Sequence, residues 1–336
     1  MTRTVRPDAG LTLVELMVAL VVSSLVIGAA LSVGLTMMRS FRDHGTMVSV
    51  QRAARVSMDF LADAVRNSNP GVLTGMFEDL IGCSGQVPGI SVTNRTNAPD
   101  EISLVYASGG IFTSSRSTYS PTSTGLTVLD AEEVAGQDFF PGDYIVITNL
   151  DVGTIVRVAD VQASGSEWQL GTIQPSSCGA VSFPGPGFEP GSLVIRGRFA
   201  RFFVQNDAGT GNIPMLMMDP DGPGPATAEP VADGIEDLQI AVAVDANGDG
   251  TITEVGIAPN DDEWYYNIAG DMDPPGGIPP RAVRLTLIAR SVSETSNVAS
   301  FTRPAAEDRA ASTVPDPYRR RVLTTTVELR NLEGSP

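Results

Sequence analysis

Alternating oxygen-bearing side chains make one short acidic stretch the clearest candidate for ligand chemistry. In the run DANGDG from Asp245, carboxylate and amide side chains occupy alternate positions before a glycine, as in the first half of a calcium-binding loop. The twelfth position, where such a loop needs a bidentate glutamate, is Gly256. An acidic turn between two strands has the same composition. We therefore expect either a calcium site or a turn, and calcium is the one cofactor that the sequence suggests. The candidate calcium ligands are Asp245, Asn247, Asp249, Thr251 and Glu254.

The two cysteines, Cys83 and Cys178, are the second chemical candidate. They are far apart and lack the CxxC spacing of zinc sites and thioredoxin-like redox sites. In an oxidising compartment they would permit one long-range disulfide, worth about 2–4 kcal/mol. Two buried free thiols are the alternative.

The residue types needed for catalysis are sparse. The single histidine, His44, belongs to a helical segment near the N-terminus, so the rest of the chain cannot assemble a Ser-His-Asp or Cys-His site. The acidic run Asp261-Asp262-Glu263 is typical of a solvated loop, and neither a phosphate-binding loop nor a dinucleotide fingerprint is present. The net charge of −17 would repel nucleic acid. The sequence predicts a protein that is not an enzyme and has no nucleic-acid partner.

One carboxylate lies inside an apolar run. The run from Leu11 to Met38 is long enough, at about 1.5 Å per residue, to cross a bilayer core, and Glu15 is its single charge. Arg3 and Arg6 precede it, so we expect a cytoplasmic N-terminal flank and the remainder of the chain outside.

Three interpretations of this segment compete: a removable secretory signal, an ordinary membrane anchor, and a short leader that is cut from a retained helix. Glu15 costs about 2.5–3.5 kcal/mol in the first two, because nothing offsets a carboxylate in the apolar core. If the chain is cut after Gly10, Leu11 gains an ammonium group four residues before Glu15. Pairing of Glu15 with the new amino terminus of a neighbouring subunit would offset the burial of both charges. The position of Glu15 therefore favours the third interpretation.

The pattern beyond the apolar run predicts the end of the helix and a change to strands. Apolar residues recur every three or four positions up to Val65, and Asn67–Gly71 is a stop signal. After Gly71 the chain has short alternating runs, which are typical of strands, separated by loops rich in proline and glycine. The predicted strand runs include Ile102–Tyr106, Tyr144–Ile147, Leu238–Val244, Val283–Ala289 and Val322–Leu329. The expected fold class is α+β: a long N-terminal helix packed on a mainly antiparallel β domain. The predicted parts are a leader (1–10), a transmembrane and polymerisation helix (11–38), an amphipathic helix (39–67) and an exported β-rich domain (71–336).

The string GLTLVEL from Gly10 resembles the class III signal of type IV pilins and of type II secretion pseudopilins. This resemblance implies cleavage by prepilin peptidase after Gly10, methylation of the new N-terminus at Leu11, and Glu15 as the assembly carboxylate. The chain departs from the family at Leu11, where phenylalanine is usual.

Segments further along the chain resemble the PilW-type minor pilins. They are Gly82-Cys83, FPGDYIVITN from Phe140, GIEDLQIAVAVDANGDG from Gly234, RAVRLTLIARS from Arg281, and RRRVLTTTVELRN ending at Asn331. The resemblance implies a minor subunit that primes pilus assembly at the inner membrane and lies near the filament tip. Its implied partners are the major pilin, other minor pilins, a tip adhesin, prepilin peptidase and inner-membrane lipid.

Two other functions stay open at this point: a J-type minor pseudopilin of a type II secretion system, and a membrane-anchored exported binding module that does not polymerise. In the minor-pilin interpretation the protein is a single-pass inner-membrane protein with a periplasmic domain before assembly. After assembly it is part of a surface filament.

Overall fold

The computed structural model describes residues 12–72, 75–79, 85–120, 123–129, 139–173, 187–207, 212–220, 228–254, 263–275, 278–295 and 300–329. The chain divides into two compact units, residues 1–49 and 50–336. The first unit is helical throughout its described part beyond Thr12, and the second contains the end of the helix and all the described strands.

One helix, α1, runs from Leu13 to Arg66. It ends where side chains take over the hydrogen bonds of its last turn: the Asn67 amide donates to the carbonyl oxygen of Asp63 at 2.9 Å, and the Ser68 hydroxyl donates to that of Val65 at 2.6 Å. Gly71 then adopts a φ of 67°, which lies in the left-handed region that favours glycine. The helix therefore stops at the predicted signal because local chemistry satisfies its C-terminus.

The rest of the described chain is almost entirely strand and loop. The strands are β1 (Met76–Asp79), β2 (Gly85–Pro88), β3 (Ile90–Thr93), β4 (Glu101–Ser114), β5 (Gly125–Leu129), β6 (Tyr144–Thr148), β7 (Gly153–Ser164), β8 (Glu167–Ile173), β9 (Leu193–Asp207), β10 (Ile213–Asp219), β11 (Glu229–Asp233), β12 (Ile235–Ala243), β13 (Trp264–Tyr265), β14 (Ala282–Arg290) and β15 (Arg320–Glu328). The α+β prediction is confirmed.

Within the described residues, eleven of these strands form one branched sheet, with a main path β11-β10-β9-β6-β7-β1-β2. The long strand β9 pairs with β4 along one edge and with β6 and β10 along the other. All described strand pairs of this sheet are antiparallel except β1 with β7.

The other four described strands form a second antiparallel sheet in the order β13-β12-β14-β15. A single hydrophobic cluster joins one face of this sheet, part of the first sheet and the end of α1. The helix contributes Val50, Ala54, Met58, Leu61, Ala62, Ala64 and Val65 to the cluster. These positions follow the helical period, so the apolar stripe explains why this part of α1 packs on strands.

The opposite face of the second sheet carries polar side chains that are nevertheless buried. Asp237 and Gln239 on β12 and Thr286 on β14 are at most 3% exposed. The segment 300–312 lies over this face, because its Arg303 and Glu307 bond to Asp237 and Thr286. The loop before the last strand thus closes a polar layer against the sheet.

Candidate functional site

The N-terminal part of α1 exposes an apolar surface. From residue 12 to residue 38 every side-chain position is exposed except Gly34, which is intermediate. By length and composition, α1 is the one described helix that is long and apolar enough to cross a membrane. This surface needs lipid or other apolar helices as its environment.

Glu15 lies in the first turn of α1 and forms a reciprocal cap with Thr12. The backbone N–H and the hydroxyl of Thr12 each donate to Glu15 Oε2 at 3.0 Å. The backbone N–H of Glu15 donates to Thr12 Oγ1 at 3.3 Å. This arrangement is a capping box, in which two otherwise unpaired N–H groups are satisfied. The carboxylate is therefore positioned at the start of the helix, where the helix dipole favours negative charge.

Thr12 was not among the residues predicted to have a role, although Thr12-Leu13-Val14-Glu15 has the spacing of a capping box. The predicted processing residues Gly10 and Leu11 lie outside the described residues. The predicted cut would leave the Thr12 amide within the chain, one residue after the new terminus. The cap is therefore compatible with cleavage after Gly10.

The end of α1 presents two faces. Buried residues face the strands, whereas Val56 and Phe60 are 52% and 41% exposed. Phe60 also makes an edge-on contact with Phe202 of β9, with the ring centroids 5.7 Å apart. This half of the helix is thus anchored on the sheet and still carries apolar surface on its outer side.

The predicted calcium loop is folded on itself. Asp245 accepts hydrogen bonds from the N–H groups of Gly248 and Gly250, at 2.7 and 3.0 Å. Asn247 accepts one from the Asp249 N–H at 2.8 Å. Asp249 accepts two from Thr251, which lower the pKa of the Asp249 carboxyl. The side-chain oxygens that would bind the ion are engaged with the loop's own donors, which is the geometry of a turn.

The acidic residues beyond the loop point elsewhere. Glu254 pairs with Arg284 of β14 at 3.0 Å. Glu263 is buried and accepts a hydrogen bond from the Thr253 N–H at 2.9 Å, so the prediction that it lies in a solvated loop is wrong.

Within the ranges described above, no three carboxylate, imidazole or thiolate groups are placed to hold one metal ion. Calcium binding by the DANGDG loop therefore stays a prediction. Asp261, Asp262, Cys83 and Cys178 lie outside the described residues.

The ion pairs of the polar layer have no signal in the sequence. Arg303 and Arg309 contact the two oxygens of Asp237 at 3.2 and 2.6 Å, and Asp237 is fully buried. Nearby, Arg320 pairs with Glu236 and Asp316. Asp237 and Glu236 are separated from their arginine partners by many residues along the chain, so no short motif contains both members of one of these pairs.

Two family models match the chain. Residues 201–331 match the family described as type IV pilus-assembly protein W, and residues 5–31 match the prokaryotic N-terminal methylation motif. The polar layer and the second sheet lie in the first match, and the start of α1 with Glu15 lies in the second. Among curated proteins and solved structures, neither comparison found a significant match. The resemblance to PilW-type minor pilins is confirmed by the two family matches.

Proposed function

We propose that this chain, a minor pilin-like protein of the type IV pilus, is a structural subunit that helps prime pilus assembly and lies at or near the pilus tip. The match to the pilus-assembly family favours a type IV pilus over a J-type pseudopilin of a type II secretion system. The match to the methylation motif favours a processed and methylated N-terminus over a removable secretory signal.

The observation that carries this proposal is the exposed apolar surface of α1 from residue 12 to residue 38, with one carboxylate in its first turn. Before assembly, inner-membrane lipid would cover this surface. In a filament, the helices of neighbouring subunits would replace the lipid. Lipid and neighbouring helices are similarly apolar, so the hydrophobic effect does little to drive transfer from one to the other. The charge on Glu15 would therefore set the register of the subunit in the filament.

Pairing between subunits gives Glu15 its role. Prepilin peptidase would cut after Gly10 and leave an ammonium group on Leu11. The Glu15 carboxylate is already positioned at the helix start by Thr12, so a neighbour's ammonium group has a fixed partner to meet. Breaking a buried pair by removing one charge costs about 3–5 kcal/mol. A subunit without this carboxylate would therefore enter the filament poorly.

The location and partners follow from the same mechanism. The protein is a single-pass inner-membrane protein, and its β domain lies in the periplasm before assembly and on the cell surface afterwards. The proposed partners are the major pilin, other minor pilins and a tip adhesin.

Glu15→Gln tests the assembly role, because glutamine keeps an oxygen for the Thr12 cap but removes the charge. We expect normal membrane insertion and processing, and a roughly tenfold or greater fall in the amount found in sheared filaments, since about 1.4 kcal/mol corresponds to tenfold. The matched control is Thr12→Val, which weakens the cap and keeps the charge. It should be incorporated nearly as well as the wild type. Mass spectrometry of the mature wild-type protein should show a methylated Leu11 at its N-terminus.

Incorporation of Glu15→Gln at the wild-type level would contradict the pairing mechanism. Absence of the wild-type protein from sheared filaments, together with correct insertion, would favour a membrane-anchored binding module that does not polymerise.

A further inference from the structure

The last described strand, β15, forms one edge of the second sheet. Among the described residues it pairs only with β14, along all nine of its residues and without a register shift. The opposite edge strand, β13, has two residues. In the first sheet, the end strands of the main path, β2 and β11, have four and five residues, and each contains a proline. Short length and proline protect a sheet edge against pairing with another chain, and β15 has neither protection.

Two hydrogen bonds show which residues of β15 direct their backbone groups away from β14. The Leu329 N–H donates to the carbonyl oxygen of Arg281 at 2.9 Å, and the Ser291 N–H donates to that of Arg319 at 2.9 Å. Both bonds continue the register of the β14–β15 ladder at its two ends. Because bonding alternates along an antiparallel pair, odd-numbered residues of β15 bond to β14 and even-numbered residues direct their N–H and C=O groups to the open edge. The outward set is Arg320, Val322, Thr324, Thr326 and Glu328.

The two faces of β15 differ in polarity. Leu323 and Val327 pack in the hydrophobic cluster that joins the two sheets and α1. On the other face, the hydroxyl groups of Thr324 and Thr286 lie 3.0 Å apart, and Thr324 and Thr326 are exposed. A strand added beside β15 would therefore meet an apolar face on the cluster side and a mainly polar, exposed face on the other.

The two ends of the edge carry opposite charges. Arg321 and Glu328 are exposed, and neither forms an ion pair with another described residue. The six residues between them are uncharged, and all but Leu323 are β-branched, which favours pairing of strands. An antiparallel strand with a basic residue opposite Glu328 and an acidic residue opposite Arg321 would match both charges.

We propose that the open edge of β15 receives an extended segment of another protein chain, which adds an antiparallel strand to the second sheet. The segment would place apolar residues beside Leu323 and Val327, polar residues beside Thr324 and Thr326, and opposite charges at the two ends. In strand addition, backbone hydrogen bonds supply affinity and alternate side chains supply specificity. The inference deepens the proposed function, on which it rests for the source of the segment, another subunit of the pilus.

A second copy of β15 fits this edge less well. For its charges to be matched, the copy's Arg321 would have to lie opposite Glu328. Residues that lie opposite each other in an antiparallel pair direct their backbone groups either toward each other or both away. Glu328 directs its groups outward, whereas Arg321 directs its groups to its own β14, so no single register satisfies the charges and the hydrogen bonds. The edge therefore suits a different chain.

Two synthetic peptides test the edge. Both have the sequence KVTVTVTE, in which lysine would lie opposite Glu328 and glutamate opposite Arg321. Methylation of the valine nitrogens in the first peptide blocks only its outer edge, and methylation of the threonine nitrogens in the second blocks the edge that would face β15. With fluorescently labelled peptides and the full chain in detergent micelles, anisotropy should show saturable binding of the first peptide and at least about tenfold weaker binding of the second. The peptides contain the same residues, so partition into micelles affects both alike.

Thr326→Pro removes one outward N–H group from the edge, and Thr326→Ala is its matched control. The Thr326 N–H does not bond to β14, and proline is tolerated at such edge positions, so the two variants should unfold at similar urea concentrations. Thr326→Pro should bind the first peptide about fivefold more weakly than the wild type, and Thr326→Ala should bind it within about twofold of the wild type. In cells, Thr326→Pro should be inserted normally and recovered from sheared filaments at a lower level than Thr326→Ala.

Equal binding of the two peptides would overturn the proposal, as would equal binding of the first peptide by Thr326→Pro and Thr326→Ala. Absence of saturable binding by the wild type would also overturn it. In that case, dimerisation of the wild type that Thr326→Pro abolishes would assign the edge to a second copy, and binding gained on deletion of residues 330–336 would assign it to the chain's own end. Peptide binding needs neither Glu15 nor a filament, so this proposal and the assembly role of Glu15 fail separately.

Discussion

Removal of the Asp237 side chain should destabilise the β domain strongly. Asp237 is fully buried, and its oxygens contact Arg303 at 3.2 Å and Arg309 at 2.6 Å. The two arginine side chains are themselves only 11% and 15% exposed. Asp237→Ala would leave both guanidinium groups partly buried without their carboxylate, and breaking a buried pair costs about 3–5 kcal/mol. This is a large part of the roughly 5–15 kcal/mol by which a domain is stable.

The matched control is Glu254→Ala, which removes a carboxylate from an exposed pair. Glu254 is 51% exposed and pairs with Arg284 at 3.0 Å, and Arg284 keeps a second partner, Glu307, at 3.0 Å. An exposed pair of this kind contributes about 0.2–1 kcal/mol. The two substitutions remove the same charge from the same region, so the difference between them isolates the effect of burial.

Urea unfolding of the full chain in detergent is the appropriate assay, because urea is uncharged and does not screen ion pairs as guanidinium would. Trp264 lies in the second sheet, with the Arg284 guanidinium 4.5 Å from its ring centroid, and its fluorescence should report unfolding of that sheet. With an m value of about 3 kcal/mol/M, Asp237→Ala should lower the midpoint by about 1–1.7 M. Glu254→Ala should lower it by less than about 0.4 M.

Equal midpoints for Asp237→Ala and Glu254→Ala would refute the reasoning. They would mean that Asp237 is not buried with its two arginines, and hence that the segment 300–312 does not lie over the second sheet. Limited proteolysis gives an independent check, since the segment should become more susceptible to cleavage in Asp237→Ala and not in Glu254→Ala.

Two further predictions concern the core and its dependence on pH. Leu61→Ala should lower the free energy of unfolding by about 2–5 kcal/mol, because Leu61 is fully buried in the cluster joining α1 to the strands. The control Val56→Ala, at a position that is 52% exposed, should change the free energy of unfolding by at most about 0.5 kcal/mol. Equal effects of the two substitutions in urea unfolding would contradict the packing of this half of α1. Burial raises the pKa of Asp100 from 3.8 to about 7, so the folded state holds this proton more tightly than the unfolded state. The stability due to this proton is fully present below about pH 3.8 and is lost as the pH rises through about 7. Asp100→Asn should remove this loss of stability between pH 5 and pH 8, which can be measured by comparing the urea midpoints of the variant and the wild type at the two pH values. Identical pH profiles for the two proteins would contradict the raised pKa of Asp100.

Several strands could be predicted from the sequence because their pattern is local. The apolar runs Tyr144–Ile147, Leu238–Val244 and Val283–Ala289 correspond to β6, β12 and β14, which are the most completely buried strands among those described. Central strands with both faces covered have continuous apolar sequences, so their pattern is strong. The longest described strand, β9, was not among the predicted runs, because its sequence mixes arginine with apolar residues and its place depends on pairing at both edges.

The acidic loop shows the limit of motif reasoning. Alternating Asp and Asn in DANGDG predicted either a calcium site or a turn, and the same side chains satisfy backbone N–H groups within the loop. A motif specifies which atoms are present but not which donors they face.

The sequence alone determined the long N-terminal helix, the single carboxylate at its start and the change to strands after Gly71. These features depend on neighbours within a few residues, through helical period, capping and turn chemistry. Only the tertiary structure decided that Arg303 and Arg309 meet Asp237, and that Asn94 bonds to Asp308. Such contacts join residues that are far apart in the chain, and their energy depends on burial, which no local pattern specifies.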